Sequence, residues 1–419
     1  MAMLSLAFKS LLNRRFTASL ILLSIALSVA LLLSVERLRV ESRESFANTI
    51  SGTDLIVGAR SGAINLLLYS VFRMGDATNN IAWDSYQKFA RHPLVDWTIP
   101  FSLGDSHHGY RVLGTNQDYF QHYRYGQKQN LAFQQGQAFQ QVYAAVLGYE
   151  VAQKLQYQIG QKITIAHGAG KTSFTQHDDK PFIVVGILQP TGTPVDRTVH
   201  VPLEGIEAIH KDWVAGRKVA GYQLSAEQAL EKDLTPKAIT AFLVGLKSKI
   251  ATFKVQREVN HYRQEPLLAI LPGVALQQLW DLMRIAENAL FVVTLLVVAV
   301  GLIGMLTVML AGLNERRREM AILRSVGARP GHILLVISGE SLLLSLLGIA
   351  LGLALLYIAL LFAQPYIASY YGLYLPISLP SSQEWIMLAL LAITGLLMGL
   401  IPGYRAYRYS LADGMSIRL

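Results

Sequence analysis

The 419-residue chain has no cysteine. Disulfides, thiol nucleophiles and cysteine-ligated metals are therefore excluded, and the sequence carries no mark of its redox compartment. Charge is scarce as well. Charged residues make up 16% of the chain and apolar residues 52%, with a mean hydropathy of +0.34. That balance points to membrane spans combined with a soluble part. A complete phosphate-binding loop is also missing. Gly168-Ala169-Gly170-Lys171-Thr172 ends like one, but the pattern needs a glycine five positions before Gly170, where Ile165 stands. A hairpin tip is expected there, and ATP hydrolysis by this chain alone is not. Nor is there an evident Ser/His/Asp spacing or paired-carboxylate signature, which argues against an enzyme.

Charge is missing most conspicuously from four stretches. Residues 16–35 hold none over 20 positions, enough to cross a hydrocarbon core of ~30 Å. A signal peptide has a shorter apolar region followed by a small-residue cleavage site. Here Leu31-Leu32-Leu33-Ser34-Val35 runs straight into Glu36-Arg37-Leu38-Arg39, so an uncleaved first span is expected. Residues 288–314 form the second span, 333–363 the third (interrupted only by Glu340) and 385–404 the fourth. No span shows a string of polar residues on one face, so no wide hydrophilic path is expected. Gly348 and Gly352, and Gly395, Gly399 and Gly403, repeat at four-residue spacing. Such spacing lets helices approach closely in lipid, either within the chain or against a second copy.

Residues 36–287 read as a soluble domain, with 26 basic and 23 acidic residues and nine of the ten histidines. Strands are expected at 144–147, 162–166, 182–188, 198–201 and 239–246, and helices at 83–91, 150–155 and 247–262. The fold class is thus a four-helix membrane protein with a large mixed α/β domain between its first two spans. That domain is expected to divide into two subdomains. The adjacent pair His107 and His108, beside Asp105, could hold zinc given a third ligand placed by the fold, but a surface turn is the plainer reading.

The basic residues outside that domain are concentrated in three places. The lead 1–15, the loop 315–332 and the tail 405–419 hold eleven basic residues against Glu315, Glu319 and Asp413, a net of +8 out of +9. The connection 364–384 is uncharged from Gln364 to Gln383. The positive-inside rule then puts both termini and the loop in the cytoplasm and the large domain outside. Orientation accounts for the charge, so nucleic-acid binding is not implied. Glu340 lies near the cytoplasmic end of its span, where pairing with a loop arginine or snorkelling is expected over a proton or ion role. In the loop, Arg318 to Gly327 has helical spacing. Met320, Leu323 and Val326 share one face, arginines another, and Gly327 stops the helix.

The run Glu315-Arg316-Arg317-Arg318-Glu319-Met320-Ala321-Ile322-Leu323-Arg324-Ser325-Val326-Gly327-Ala328, the following Gly339-Glu340 and the ending Ile401-Pro402-Gly403-Tyr404-Arg405 resemble FtsX/MacB/LolC-type ABC transporter permeases. Ser51-Gly52-Thr53-Asp54-Leu55-Ile56-Val57-Gly58 and Phe182-Ile183-Val184-Val185-Gly186-Ile187-Leu188 are similar to the MacB-like periplasmic core. The resemblance covers essentially the whole chain and implies that the distal subdomain lies at about 116–215. It departs from MacB itself in lacking a fused ATPase. It implies an inner-membrane, non-catalytic permease with no cofactor of its own and ATP-Mg on a separate cytoplasmic ATPase. Two permease chains, identical or different, would associate with two such ATPases. A periplasmic adaptor or lipoprotein partner is also implied. The ATPase-coupling residues would be Arg316, Arg317, Arg318, Glu319, Leu323, Arg324, Gly327 and Ala328. The implied activity is mechanotransmission, in which ATP-driven closure moves the outer domains on a lipoprotein, peptide, toxin or drug. An alternative is a membrane-anchored regulator of a periplasmic cell-wall hydrolase.

Overall fold

The computed structural model describes residues 15–168, 178–214, 217–218, 224–371 and 377–408. The chain runs through α1 (Arg15–Thr49), β1 (Leu55–Ala59), α2 (Ala63–Ser70), β2 (Val95–His107), β3 (Tyr110–Thr115), β4 (Phe133–Gly136), β5 (Ala144–Leu147), β6 (Ala166–His167), β7 (Phe182–Leu188), β8 (Thr198–Pro202), α3 (Leu203–His210), β9 (Ala241–Leu246), β10 (Leu267–Ile270), α4 (Pro272–Ser325), α5 (Pro330–Tyr371) and α6 (Ser382–Arg408), with shorter elements between. These divide into two compact units, Met1–Glu41 with Arg284–Leu419, and Ser42–Met283.

The first unit is a bundle of four helices long and apolar enough to cross a membrane, at Arg15–Glu41, Pro272–Leu313, Gly331–Gln364 and Ser382–Arg408. Its helices meet at small residues. A Cβ on Gly348 would come within 2.6 Å of Ile25, and one on Gly352 within 2.7 Å of Val29, so these glycines seat α5 against α1. Ser28 Oγ donates to the carbonyls of Ser24 (2.9 Å) and Val297 (3.3 Å), beside Gly301 of α4. The α5–α6 contact is a serine–glycine seam. Ser338, Ser341 and Ser345 are buried on α5. A Cβ on Gly395 would fall 2.0 Å from Ser345 Oγ, one on Gly399 1.8 Å from Ser341 Oγ, and one on Gly403 3.4 Å from Ser338 Oγ. This corrects the expectation that no span carries polar residues along one face. The serines recur at i, i+3 and i+7, but they line a closed contact. Ser341 and Ser345 donate to the carbonyls of Ser338 (2.8 Å) and Ser341 (2.9 Å), so these two hydroxyls are satisfied within their own helix.

The second unit is built on a mixed sheet of eleven strands among the described residues, in the order β10-β1-β9-β2-β3-β8-β5-β7-β4, with β6 added on β2 and the short strand Lys162–Ile163 added on β7. Two of its pairings are parallel, β3 with β8 and β5 with β7. The 13-residue strand β2 joins the halves. Its Val95–Phe101 part pairs with β9, and its Ser102–His107 part pairs with β3. The segment expected as distal, 116–215, supplies the far half of this sheet. Both faces of the near half are covered. Ile56 and Leu243 pack with Leu66 and Leu67 of α2 on one side. Leu55, Val57, Phe242 and Val244 pack with Val255 and Val259 on the other. Alternate residues thus enter opposite cores, which is why β1 is apolar at every position. Gly58 is needed because a Cβ would meet Leu66 Cδ1 and Tyr69 Oη at 2.5 Å.

Candidate functional site

The basic stretch after the second span does not form a helix of its own. It is the end of α4, which continues unbroken from Pro272 to Ser325. Arg316, Arg317, Arg318 and Glu319 fall in this helical end, and their side chains lie outside those described. Residues 1–14, residues 169–177 with Lys171 and Thr172, and residues 409–419 also lie outside the described residues. The helix stops as Gly327 requires. Gly327 has φ +99°, its N–H donates to Arg324 O (3.0 Å), and Ala328 N–H donates to Leu323 O (3.0 Å). This is the paired 6→1 and 5→2 pattern of a glycine-terminated helix. Pro330 then opens α5, where its missing N–H costs nothing.

This corner divides into a bound side and an open side. Met320 and Ala321 are buried, Met320 among Ile333, Ile337 and Ala406 of the bundle. Arg324 Nη2 donates to the Tyr407 carbonyl at 3.1 Å. The open side carries Ile322, 57% exposed, and Val326, 83% exposed. These are four residues apart and so lie on one face. Sequence spacing had grouped Met320 with Leu323 and Val326. The structure instead turns Met320 into the bundle and leaves Leu323 half-buried, while Ile322 comes to the surface. Glu340 is buried within the bundle at 2% exposure.

The far end of α1 carries a cluster that sequence reading missed. Arg37 Nε donates to Glu384 Oε1 at 2.8 Å, with 7% and 4% of the two side chains exposed. Arg37 Nη2 also donates to Ser378 O (3.0 Å), and the guanidinium lies 5.2 Å from the Tyr357 ring centroid. Glu384 in turn accepts the Ser381 N–H (2.7 Å), and its own N–H donates to Ser381 Oγ (3.3 Å), a cap on α6. One ion pair therefore ties α1, α5 and α6 together.

In the second unit, His107 ends its strand and His108 begins the tight turn that follows. His108 (φ +48°) and Gly109 (φ +84°) connect β2 to β3, with His107 paired to Tyr110. Positive φ at both central positions is the hairpin geometry that favours glycine second. His107 is buried, its Nδ1 2.6 Å from Thr164 O and its Nε2 3.1 Å from Tyr157 Oη. Burial pushes its pKa down to about 4. Both ring nitrogens are thus occupied by protein groups. Among the described residues, the cluster able to present ligand atoms to one ion is Asp105, His167 and His210.

The family model of the FtsX-like permease C-terminal domain matches residues 291–411. That of the MacB-like periplasmic core domain matches residues 16–262. Similar solved structures include the periplasmic region of MacB from Actinobacillus actinomycetemcomitans, 12% identical with a TM-score of 0.33, covering 56% of this chain and 95% of that one. Another is the extracellular domain of the noncanonic ABC-type transporter YknZ from Gram-positive bacteria, 13% identical with a TM-score of 0.30, covering 52% of this chain and 99% of that one. No curated protein matches the chain.

Proposed function

The chain belongs to the FtsX-like ABC transporter permeases that carry a MacB-like periplasmic core domain, and on that premise we propose that it passes motion from a separate cytoplasmic ATPase to its outer domain. A family member of this kind is a membrane permease subunit with a partner ATPase and a dimeric assembly. In this reading both termini and the α4–α5 corner face the cytoplasm, where the excess of basic residues lies. The ATPase docks on Ile322 and Val326, and Arg316, Arg317, Arg318, Glu319, Leu323, Arg324, Gly327 and Ala328 are the further residues proposed to couple to it. The ATP and Mg2+ are held by that partner. Cargo is a lipoprotein, peptide, toxin or drug handled on the outer side.

The observation that carries this reading is α4. One helix without a break holds both the exposed apolar pair near its end and residues of the second unit, Pro272 to Met283. A helix of 54 residues is about 80 Å long, and a rigid element of that kind conveys displacement as a body. Burying Ile322 and Val326 in a partner would contribute on the order of 1.5–3 kcal/mol each. The test is to co-purify the chain with its ATPase and compare wild type with Ile322→Asp/Val326→Asp. Loss of the ATPase, or of permease-stimulated hydrolysis, with normal membrane insertion supports the proposal. Full stimulation in the double variant overturns it.

A further inference from the structure

The geometry of Asp105, His167 and His210 points to a divalent transition-metal site in the second unit, and we propose that it binds Zn2+ through these three side chains. The three residues come from three elements. Asp105 lies on β2 directly opposite His167 of β6, and His210 is the last residue of α3. One ligand atom from each lies within 4.8 Å of the others.

The spacing is that of a coordination shell. Zn–N and Zn–O bonds of about 2.0–2.1 Å in a tetrahedron place neighbouring ligand atoms about 3.3 Å apart. The two edges that meet at Asp105 Oδ1 are 3.1 Å to His167 Nδ1 and 3.7 Å to His210 Nε2. Those distances fall on either side of the tetrahedral value. An ion can enter by small side-chain adjustments, taking the place of the proton shared between His167 and Asp105.

The surrounding contacts favour metal binding. His210 Nδ1 lies 2.9 Å from the Ile206 carbonyl. Donation of Nδ1–H to that oxygen sets the tautomer that leaves the Nε2 lone pair toward Asp105. This outer bond to a backbone carbonyl is the usual way a ligating imidazole is oriented. The Trp213 ring lies 6.1 Å from each of the two imidazoles, which gives the site an apolar flank. Asp105 is buried, while His167 keeps 44% of its side chain exposed. His167 also lines a cleft of about 450 Å³. The exposed part of His167 gives an ion a route in. Two imidazoles with one carboxylate suit zinc better than the all-oxygen shells of calcium or magnesium.

The pair His107 and His108 takes no part. His107 is held by Thr164 and Tyr157, and His108 sits in the hairpin turn.

The full chain is purified without a polyhistidine tag, stripped with chelator in detergent, equilibrated with Zn2+ and desalted. Its metal content is then measured, and Co2+ is substituted for visible spectroscopy. The result expected is one Zn2+ per chain and the intense visible bands of four-coordinate Co2+. His167→Gln and His210→Gln should each weaken binding by more than the roughly 10–100-fold that loss of an outer-shell partner costs, and His108→Gln should leave it unchanged. The Co2+ spectrum of the wild-type chain needs no variant to fold. A wild-type chain that retains no zinc, or the same stoichiometry and affinity in His167→Gln and His210→Gln, overturns the proposal. Intact ATPase coupling together with no zinc would refute this site while leaving the permease reading untouched.

Discussion

Replacing Arg37 with Met should destabilise the helical bundle by about 3–5 kcal/mol, because it strands a buried carboxylate. The structure sets that magnitude. Only 7% of the Arg37 side chain and 4% of the Glu384 side chain reach the surface, so neither charge is hydrated enough to be left alone. The guanidinium also satisfies Ser378 O and stacks on Tyr357, and those contacts are lost with it. Glu384→Gln should cost less. The amide oxygen can still accept the Ser381 N–H that caps α6, now at 2.7 Å from a carboxylate oxygen. The double variant removes both charges together, so it should cost less than the sum of the singles by about 2 kcal/mol or more. The assay is reversible unfolding in mixed detergent micelles followed by far-UV circular dichroism. Single variants that each cost under about 1 kcal/mol and add without coupling would show that the pair behaves as a surface ion pair, and the reasoning would fail.

Gly399→Ala should destabilise the α5–α6 seam by about 1–3 kcal/mol through overpacking, because its Cβ would fall 1.8 Å from Ser341 Oγ and 2.6 Å from Ser341 Cβ. Adding Ser341→Gly should restore most of the loss in the same unfolding assay, and no recovery would place the clash elsewhere. The outer domain should lose stability in mild acid through His200. Burial first, and then the nearby Arg73 charge, push the pKa of His200 down to about 3. The unfolded chain therefore takes up the proton first, and stability is lost as pH falls below the unfolded value of about 6.5. Between about pH 7.5 and pH 5 this amounts to about 2 kcal/mol. Urea titrations of wild type and His200→Phe should differ in pH slope by that amount, and parallel slopes would contradict the assignment.

The spans were legible because absence of charge over 20 residues or more has few explanations in a folded protein. Strands 144–147 and 182–188 were legible for a similar reason, being short apolar runs between turn residues. The expected strand 239–246 is divided at Thr240, whose hydroxyl accepts the Leu103 N–H at 2.9 Å, a contact no local pattern announces. Strand β2 was missed because Pro100, Gly104, Asp105 and Ser106 break its alternation, although its long-range pairing holds it extended. The serine face of α5 hid inside an apolar run, since three small hydroxyls barely lower the hydropathy of a span. At the α4 corner the helical period was right but its phase was not. Continuity with the second span turns Met320 inward and Ile322 outward. Asp105, His167 and His210 are 62 and 43 positions apart along the chain, so only the fold brings them together. Of the histidine pair that did draw notice in the sequence, His108 lies in the hairpin turn while His107 is buried at the strand end.

Transmission of motion is the claim to test most directly, and the absence of cysteine makes it accessible. Ile250, 93% exposed on the outer domain, is replaced by a single cysteine and spin-labelled in the complex with the ATPase. The distance between labels on the two permease copies is then measured by pulsed electron resonance without nucleotide and with trapped ATP. The distance distribution should shift when ATP is trapped, and Ile322→Asp/Val326→Asp should abolish the shift. An unchanged distribution in a complex that hydrolyses ATP at its full rate would contradict it.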